Sequence, residues 1–302
     1  MKFSRFAWLT LIYNLFVILW GAYVRATGSG AGCGSHWPTC NGDVIPRAPH
    51  IETIIEFTHR ATSGLALILV LILLIWAFRA YPKRHIVRRG AVLSAVFILI
   101  EALLGAGLVL FELVAHNPSL TRAFSMALHL ANTFLLISAL SLTAWWASGG
   151  TPPPNLRALN PKTRTLGGLG FLIVLLLGMS GAITALGDTL FPAQNLLQGL
   201  EQKFEPGAHF AVRMRLFHPL IAFAAIAYLF VLVAPCLPPH NPPTQRKLAL
   251  ALLALFFTQL LAGVINVALL APVWMQLVHL LLADLIWIAL TLLANEYLSD
   301  KG

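Results

Sequence analysis

Charged side chains are scarce in this sequence: Asp, Glu, Lys and Arg make up 10% of its 302 residues, against about 25% in ordinary soluble domains. It has no long polar domain and no low-complexity tract, so almost any chemistry must take place inside or at the edge of an apolar medium. Acidic residues are scarcest, 11 against 20 Lys and Arg, which leaves a net charge of +9. A nucleic-acid reader would gather such cations on one face or tail; here they fall in short clusters between apolar runs, so no nucleic acid is expected as partner. Cysteine is limited to three residues. What is abundant is apolar: 58% of the chain, with a mean hydropathy of +0.80. The expected solvent is a lipid bilayer and the expected substrate is lipophilic or membrane-delivered.

Runs of roughly 20 apolar residues can cross the hydrocarbon core as helices. Eight are legible, at about 7–24, 53–78, 91–112, 122–147, 166–187, 211–234, 248–270 and 274–297. Cations collect in alternate connections: Lys2 and Arg5; Arg79, Lys83, Arg84, Arg88 and Arg89; Arg157, Lys162 and Arg164; Arg246 and Lys247; then Lys301. By the positive-inside rule these connections and both termini face the cytoplasm. The fold class expected is therefore an all-α polytopic membrane protein, with two long outer loops at about 25–52 and 188–210. The first apolar stretch is too long for a signal-peptide core, and a polar Arg25–Gly30 stretch separates it from Cys33, so it is read as a span. The Gly- and Pro-rich segment 148–163 reads as a linker between two halves, 1–150 and 151–302.

The second half echoes the first. Gly21-Ala-Tyr-Val of the first span recurs as Gly181-Ala-Ile-Thr in the fifth, and Phe57-Thr-His59-Arg of the second aligns with Leu216-Phe-His218-Pro in the sixth. Glu101 to Gly105 of the third matches Gln259 to Gly263 of the seventh, and Met126 to His129 of the fourth matches Met275 to His279 of the eighth, off by one. These features predict two pseudo-symmetric four-helix bundles. An ionisable group inside a span costs several kcal/mol and is a functional hypothesis by default. His59, His129, His218 and His279 all fall within about two turns of the outer end of an even-numbered span, at one expected depth. Two such rings can approach a flat macrocycle from opposite faces, the demand of bis-His haem. The pairs would be His59 with His129 and His218 with His279. Interfacial hydrogen bonding is the plain alternative for any one of them. A di-iron site, which needs several acidic and His residues at helical spacing, has only Glu56-Phe-Thr-His59 to offer. His36, His50, His85, His116, His209 and His240 lie in or beside loops and read as solvated.

Arg25, Arg60, Arg122, Arg213 and Arg215 oppose the inside bias, all near outer helix ends. Arginine can clamp a carboxylate with two parallel bonds, so they are candidates for haem propionates; snorkelling to lipid headgroups is the alternative. Cys33 and Cys40 lie in a glycine-dense outer loop, on the side where disulfides persist. A bridge between them would staple the loop or serve as a redox-active dithiol. Glu56 stands one turn before His59, either as an acid or base at a macrocycle's edge or as a helix-start residue. Glu101 and Asp284 are intramembrane acids without an assigned role, and Cys236 reads as a buried or interfacial thiol.

The run Thr27-Gly-Ser-Gly-Ala-Gly-Cys33-Gly-Ser-His-Trp37-Pro38-Thr-Cys40-Asn41-Gly42, with Glu56-Phe-Thr-His59-Arg60, resembles the haem A synthase family of bacterial type over essentially the whole chain. The resemblance implies conversion of haem O to haem A for terminal oxidases by oxidising the C8 methyl group to formyl. It implies that His59 and His129 ligate the substrate haem O, that His218 and His279 ligate a haem B cofactor, that Glu56 is the catalytic carboxylate, and that Cys33 and Cys40 form a disulfide. Implied partners are a membrane farnesyltransferase that delivers haem O, terminal oxidase assembly factors and an unidentified electron acceptor, with quinone a candidate; a homo-oligomer is left open. Some members carry a second cysteine pair in the later outer loop. Residues 188–210 carry none, so packing through Phe191, Pro192 and Phe204 is expected to hold that loop. Glu56 has Arg215 as its repeat counterpart, so the two sites are unequal and one is expected to react. The competing functions are a bis-His two-haem cytochrome b passing electrons between quinone and an outer partner, and a haem carrier.

Overall fold

A computed structural model describes residues 1–47, 49–152 and 160–300. Eight described helices are long and apolar enough to cross a membrane. They are α1 (Phe3–Ala26), α2 (Ile51–Ala80), α3 (Ile86–Leu110), α4 (Leu120–Ala147), α5 (Pro161–Leu190), α7 (Phe210–Val233), α8 (Pro243–Ala268) and α9 (Val273–Asp300). A short α6 (Leu196–Glu201) lies between α5 and α7, and 3₁₀ turns occupy Ser29–Ala31 and Ala234–Cys236. No strand occurs among the described residues.

Every expected span is present, but most helices are longer than their apolar runs. Hydropathy marks the hydrocarbon core, whereas a helix continues until a cap stops it. Thus α3 starts at the His85 cap, whose ring accepts from Val87 N–H, and includes Arg88 and Arg89. Likewise α5 starts at the Asn160 cap with Pro161 in its first turn and takes in Lys162 and Arg164. Gly149, at φ 98°, takes the left-handed conformation that follows the end of α4. Residues 153–159 of the expected linker, with Pro153, Pro154 and Arg157, lie outside the described residues, as does Lys301.

Successive spans form the tightest helix pairs: α1 with α2, α3 with α4, α5 with α7, and α8 with α9. In the first four helices α1 also meets α4 and α2 meets α3, closing a ring, whereas α7 and α8, and α5 and α9, touch sparingly. Helices α4 and α9 are the most enclosed, with half of their apolar windows buried, and a polar seam joins them. The Trp287 ring stacks on Phe134 at 4.7 Å, while its indole N–H donates to Phe134 O and Ser138 Oγ, both at 2.6 Å. Farther along, Ser138 and Thr291 hydroxyls lie 3.1 Å apart, Trp146 donates to Asn295 and Trp145 to Glu296. Lipid offers little hydrophobic incentive for helices to associate, so close packing and interhelical hydrogen bonds of this kind carry the assembly.

Trp287→Ala should therefore cost about 3–5 kcal/mol and lower the thermal unfolding midpoint in detergent by several degrees. Trp287→Phe, which keeps the stack and loses the N–H, should cost only about 1 kcal/mol.

Candidate functional site

Each of the four histidines lies within the first three turns of its helix: His59 in α2, His129 in α4, His218 in α7 and His279 in α9. Each faces a glycine of the preceding span. A methyl group placed on Gly21 would sit 2.9 Å from His59 Cε1, and one on Gly181 would sit 3.1 Å from His218 Cε1. On Gly263 it would meet His279 Cε1 at 3.3 Å, and on Gly105 His129 Nε2 at 3.8 Å. The absent side chains leave the room in which the rings sit against the neighbouring helix.

The rings differ in what their Nδ1 atoms meet. His218 Nδ1 lies 2.9 Å from Ser180 Oγ. Those of His59 and His279 are buried without a hydrogen-bond partner. His129 Nδ1 stands 3.2 Å from Glu101 Oε1, an ion-pair distance at which the ring is not turned for a formal hydrogen bond. His218 and His279 face one another, with ring centroids 6.5 Å apart and planes inclined at 75°. Two imidazoles bound to opposite sides of one metal through bonds of about 2 Å have centroids about 6 Å apart, a separation close to that of this pair. Among the described residues no group of three or more His, Cys, Asp or Glu side chains is placed to hold a metal ion.

The Cys loop is built onto one stripe of α2. Cys33 and Cys40 are bridged and buried. Thr53 Oγ1 donates to Gly32 O at 2.7 Å, Glu56 Oε2 accepts from Cys33 N–H at 2.8 Å, and Arg60 donates to His36 O and Thr39 O, both at 2.6 Å. Arg60 also forms an ion pair with Glu56 at 2.5 Å. Residues 53, 56 and 60 follow helical spacing, so one face grips the whole loop. Gly32 rests directly on the α2 backbone at Glu52 and Thr53, where any side chain would collide.

The other four candidate arginines are engaged in the same manner. Arg25 donates to Ala185 O and Thr189 Oγ1 of α5 and to Gln276 Oε1 of α9, joining the two halves. Arg122, buried, donates to Ala115 O and Asn117 O. Arg213 gives one N–H to Pro206 O and is otherwise exposed. Arg215 pairs with Asp188 at 2.7 Å and donates to Gln202 Oε1, Gly187 O and Phe191 O.

Arg215 corrects the expectation for the second long loop. Phe204 is 68% exposed and Pro192 is exposed; only Phe191 packs, its ring 4.8 Å from His209. A guanidinium serving several acceptors holds this loop instead. His209 is more than a solvated residue: it caps α7 and its Nε2 lies 2.9 Å from Pro118 O, linking the second long loop to the α3–α4 loop. Sequence reasoning also missed α6, whose signal was Asn195, the cap that accepts from Gln198 N–H. It used the four glycines to align the halves without reading them as the surfaces facing the rings. Asp284 is fully buried with neither carboxyl oxygen hydrogen-bonded among the described residues, and Cys236 is buried, as expected.

A family model described as cytochrome oxidase assembly protein, COX15-CtaA, matches residues 4–291. A protoheme IX farnesyltransferase of Thermus thermophilus is 56% identical over 303 residues, covering 100% of this chain and 49% of its own length. The chain thus spans about half the length of that relative. A heme A synthase of Halalkalibacterium halodurans is 48% identical over 106 residues, 35% of this chain and 36% of its own. One from Geobacillus kaustophilus is 42% identical over 137 residues, 45% of this chain and 41% of its own.

If Arg215 is the clamp, Arg215→Leu should speed limited proteolysis within residues 191–209 at least about tenfold, equivalent to about 1.4 kcal/mol of local stability. Arg215→Lys should restore little, because one ammonium cannot reproduce the fork that reaches these acceptors.

Proposed function

This chain belongs to the cytochrome oxidase assembly protein family COX15-CtaA, and from that premise we propose that it makes haem A by oxidising the C8 methyl group of haem O to a formyl group. With water as the oxygen donor, the first step turns the methyl group and one water into a hydroxymethyl group with release of two electrons and two protons; the second turns the alcohol into the formyl group with release of two more of each. The electrons leave to an acceptor for which a membrane quinone is the candidate class. Haem O is the substrate of the first half, bound between His59 and His129. His218 and His279 hold haem B, which supplies one-electron relay chemistry when bound. Their spacing of 6.5 Å favours that assignment.

The observation that carries the reading is the position of Glu56. It lies one turn from His59, is only 3% exposed, and is oriented by Arg60 and the Cys33 N–H. A carboxylate fixed beside a ligand of the substrate can take up the protons that both steps release. Its repeat counterpart Arg215 cannot, because it is a permanent cation. In the same reading the outer arginines Arg25, Arg60, Arg122, Arg213 and Arg215 serve the propionates, Arg213 having most N–H groups to offer. The haems then lie toward the outer face of the plasma membrane, with both termini cytoplasmic and each four-helix half carrying one site.

The double-length Thermus relative bears the name of a farnesyltransferase, although it aligns over about half its length with this chain, whose residues 4–291 match the oxidase-assembly model. That arrangement supports a membrane farnesyltransferase as the source of haem O, joined to such a chain or beside it. Product release to oxidase assembly factors follows from the family.

Haem extracted from protein purified out of cells that make haem O tests the reading. Wild type should yield haem A or hydroxylated haem O beside haem B. Glu56→Gln, which can still accept from Cys33 N–H and so keeps the loop, should retain both haems and form no haem A. Two haem B molecules without a farnesylated haem would instead establish the cytochrome b reading. His218→Ala should lose haem B; unchanged haem B content would remove the second-half assignment.

A further inference from the structure

Glu101 is, with Asp284, one of two intramembrane acids to which the proposed reaction gives no task, and unlike Asp284 it is held by several hydrogen bonds. It projects from α3 onto one face of α4. Thr133 Oγ1 donates to its Oε1 at 2.5 Å and Asn132 Nδ2 to its Oε2 at 2.6 Å. His129 Nδ1 lies 3.2 Å from Oε1. His129, Asn132 and Thr133 are residues i, i+3 and i+4 of one helix, so they present a single surface of three nitrogen or hydroxyl groups to one carboxylate. Asn132 and Thr133 are themselves buried, and Asn132 is braced by a second bond to Phe97 O at 2.9 Å. A carboxylate inside a span is expensive unless it is paired and hydrogen-bonded. Here the donors surround it and leave His129 as the group it addresses.

None of the other three rings has this partner. Ser180 meets His218, a neutral hydroxyl, and the Nδ1 atoms of His59 and His279 have no partner. The residues one turn beyond His279 are Leu282 and Ala283, which donate nothing; those beyond His59 are Thr62 and Ser63, whose hydroxyls bond back to the His59 carbonyl, as that of Thr133 does to His129 O, but reach no carboxylate. Gln259, aligned with Glu101 in the repeat, is neutral. The asymmetry is confined to one ligand of one site.

We infer that Glu101 is a positioning residue that anchors the His129 ring through Nδ1–H, directs Nε2 to the substrate iron, and makes His129 the strongest donor among the four histidines. A carboxylate behind a metal-bound imidazole fixes its tautomer and raises its basicity, and loss of such a partner typically costs 10–100-fold in metal affinity. A modest rotation of the His129 ring completes the alignment that the 3.2 Å approach leaves short. The inference rests on the proposed placement of the substrate haem between His59 and His129, and it makes the two faces of that haem unequal.

The test uses the purified full chain reconstituted with ferric haem B as a probe of both sites, followed by redox titration. The spectral component lost in His129→Ala identifies the first-half haem, and that lost in His279→Ala the second. In Glu101→Gln the first-half component should bind ferric haem about tenfold more weakly relative to ferrous, which raises its midpoint by about 59 mV for one electron. The second-half component should not move. Glu101→Asp should recover part of the shift, and Thr133→Val, which loosens the carboxylate without removing it, should give a smaller shift of the same sign. An unchanged first-half midpoint in Glu101→Gln overturns the inference, as does loss of both components together, which would mark Glu101 as a general packing residue. If His129→Ala removes no component, the proposed site fails and takes this inference with it. If the shift appears in a chain that makes no haem A, the catalytic reading fails and the role of Glu101 stands.

Discussion

The close approach of glycine to histidine in each helix pair is the constraint on which the rest of the structure hangs. A polar ring in a lipid-spanning helix must be covered by protein, and glycine lets the covering helix come near enough to do so. Gly21, Gly105, Gly181 and Gly263 occupy those positions in the four tightest pairs. Helix spacing, ring orientation and the depth of the candidate ligands are thereby set together. Movement of any one pair would uncover a ring as well as alter packing, so the architecture and the site share one set of contacts.

A second constraint acts where the helices end. Loop backbone at the bilayer surface has carbonyl groups that no regular secondary structure satisfies, and here arginines satisfy them. Arg60 serves the Cys loop, Arg122 the α3–α4 loop, and Arg213 and Arg215 the loop containing α6. Guanidinium groups suit this work because one side chain carries five donors in a fixed fork. The task of these cations is local: each completes the hydrogen bonding of a loop, whatever anionic group it also meets.

The spans were legible because their signal is cumulative: a run such as 91–112 remains apolar however one residue is judged. The histidines were legible for the opposite reason, each being an expensive exception within such a run. Contacts between side chains and distant carbonyls leave no such trace. Nothing in the order of residues joins Arg215 to Phe191 O or Arg25 to Gln276, and of the more obvious aromatic anchors in the second loop Phe191 packs while Phe204 is exposed. Glu101 was visible as an anomaly, but its meaning depends on Asn132, Thr133 and His129 sharing a face of another helix. The i, i+3, i+4 spacing was in the sequence; the acid to which that face turns was not.

Helix α2 shows how loop and ligand can be coupled without a moving part. Thr53, Glu56 and Arg60 bind the Cys loop, while His59, next to Arg60, turns about 100° away along the helix toward Gly21. One turn of helix therefore carries the loop anchor, the candidate ligand and the candidate acid. Glu56 belongs to both functions: one oxygen fixes Cys33 N–H and the other meets Arg60, so the loop itself orients the carboxylate. The bridge between Cys33 and Cys40 closes the loop around the carbonyls that Arg60 reads. A structural role for the loop and a chemical role for Glu56 are then complementary, because the hydrogen bonds that hold the loop down also aim the acid.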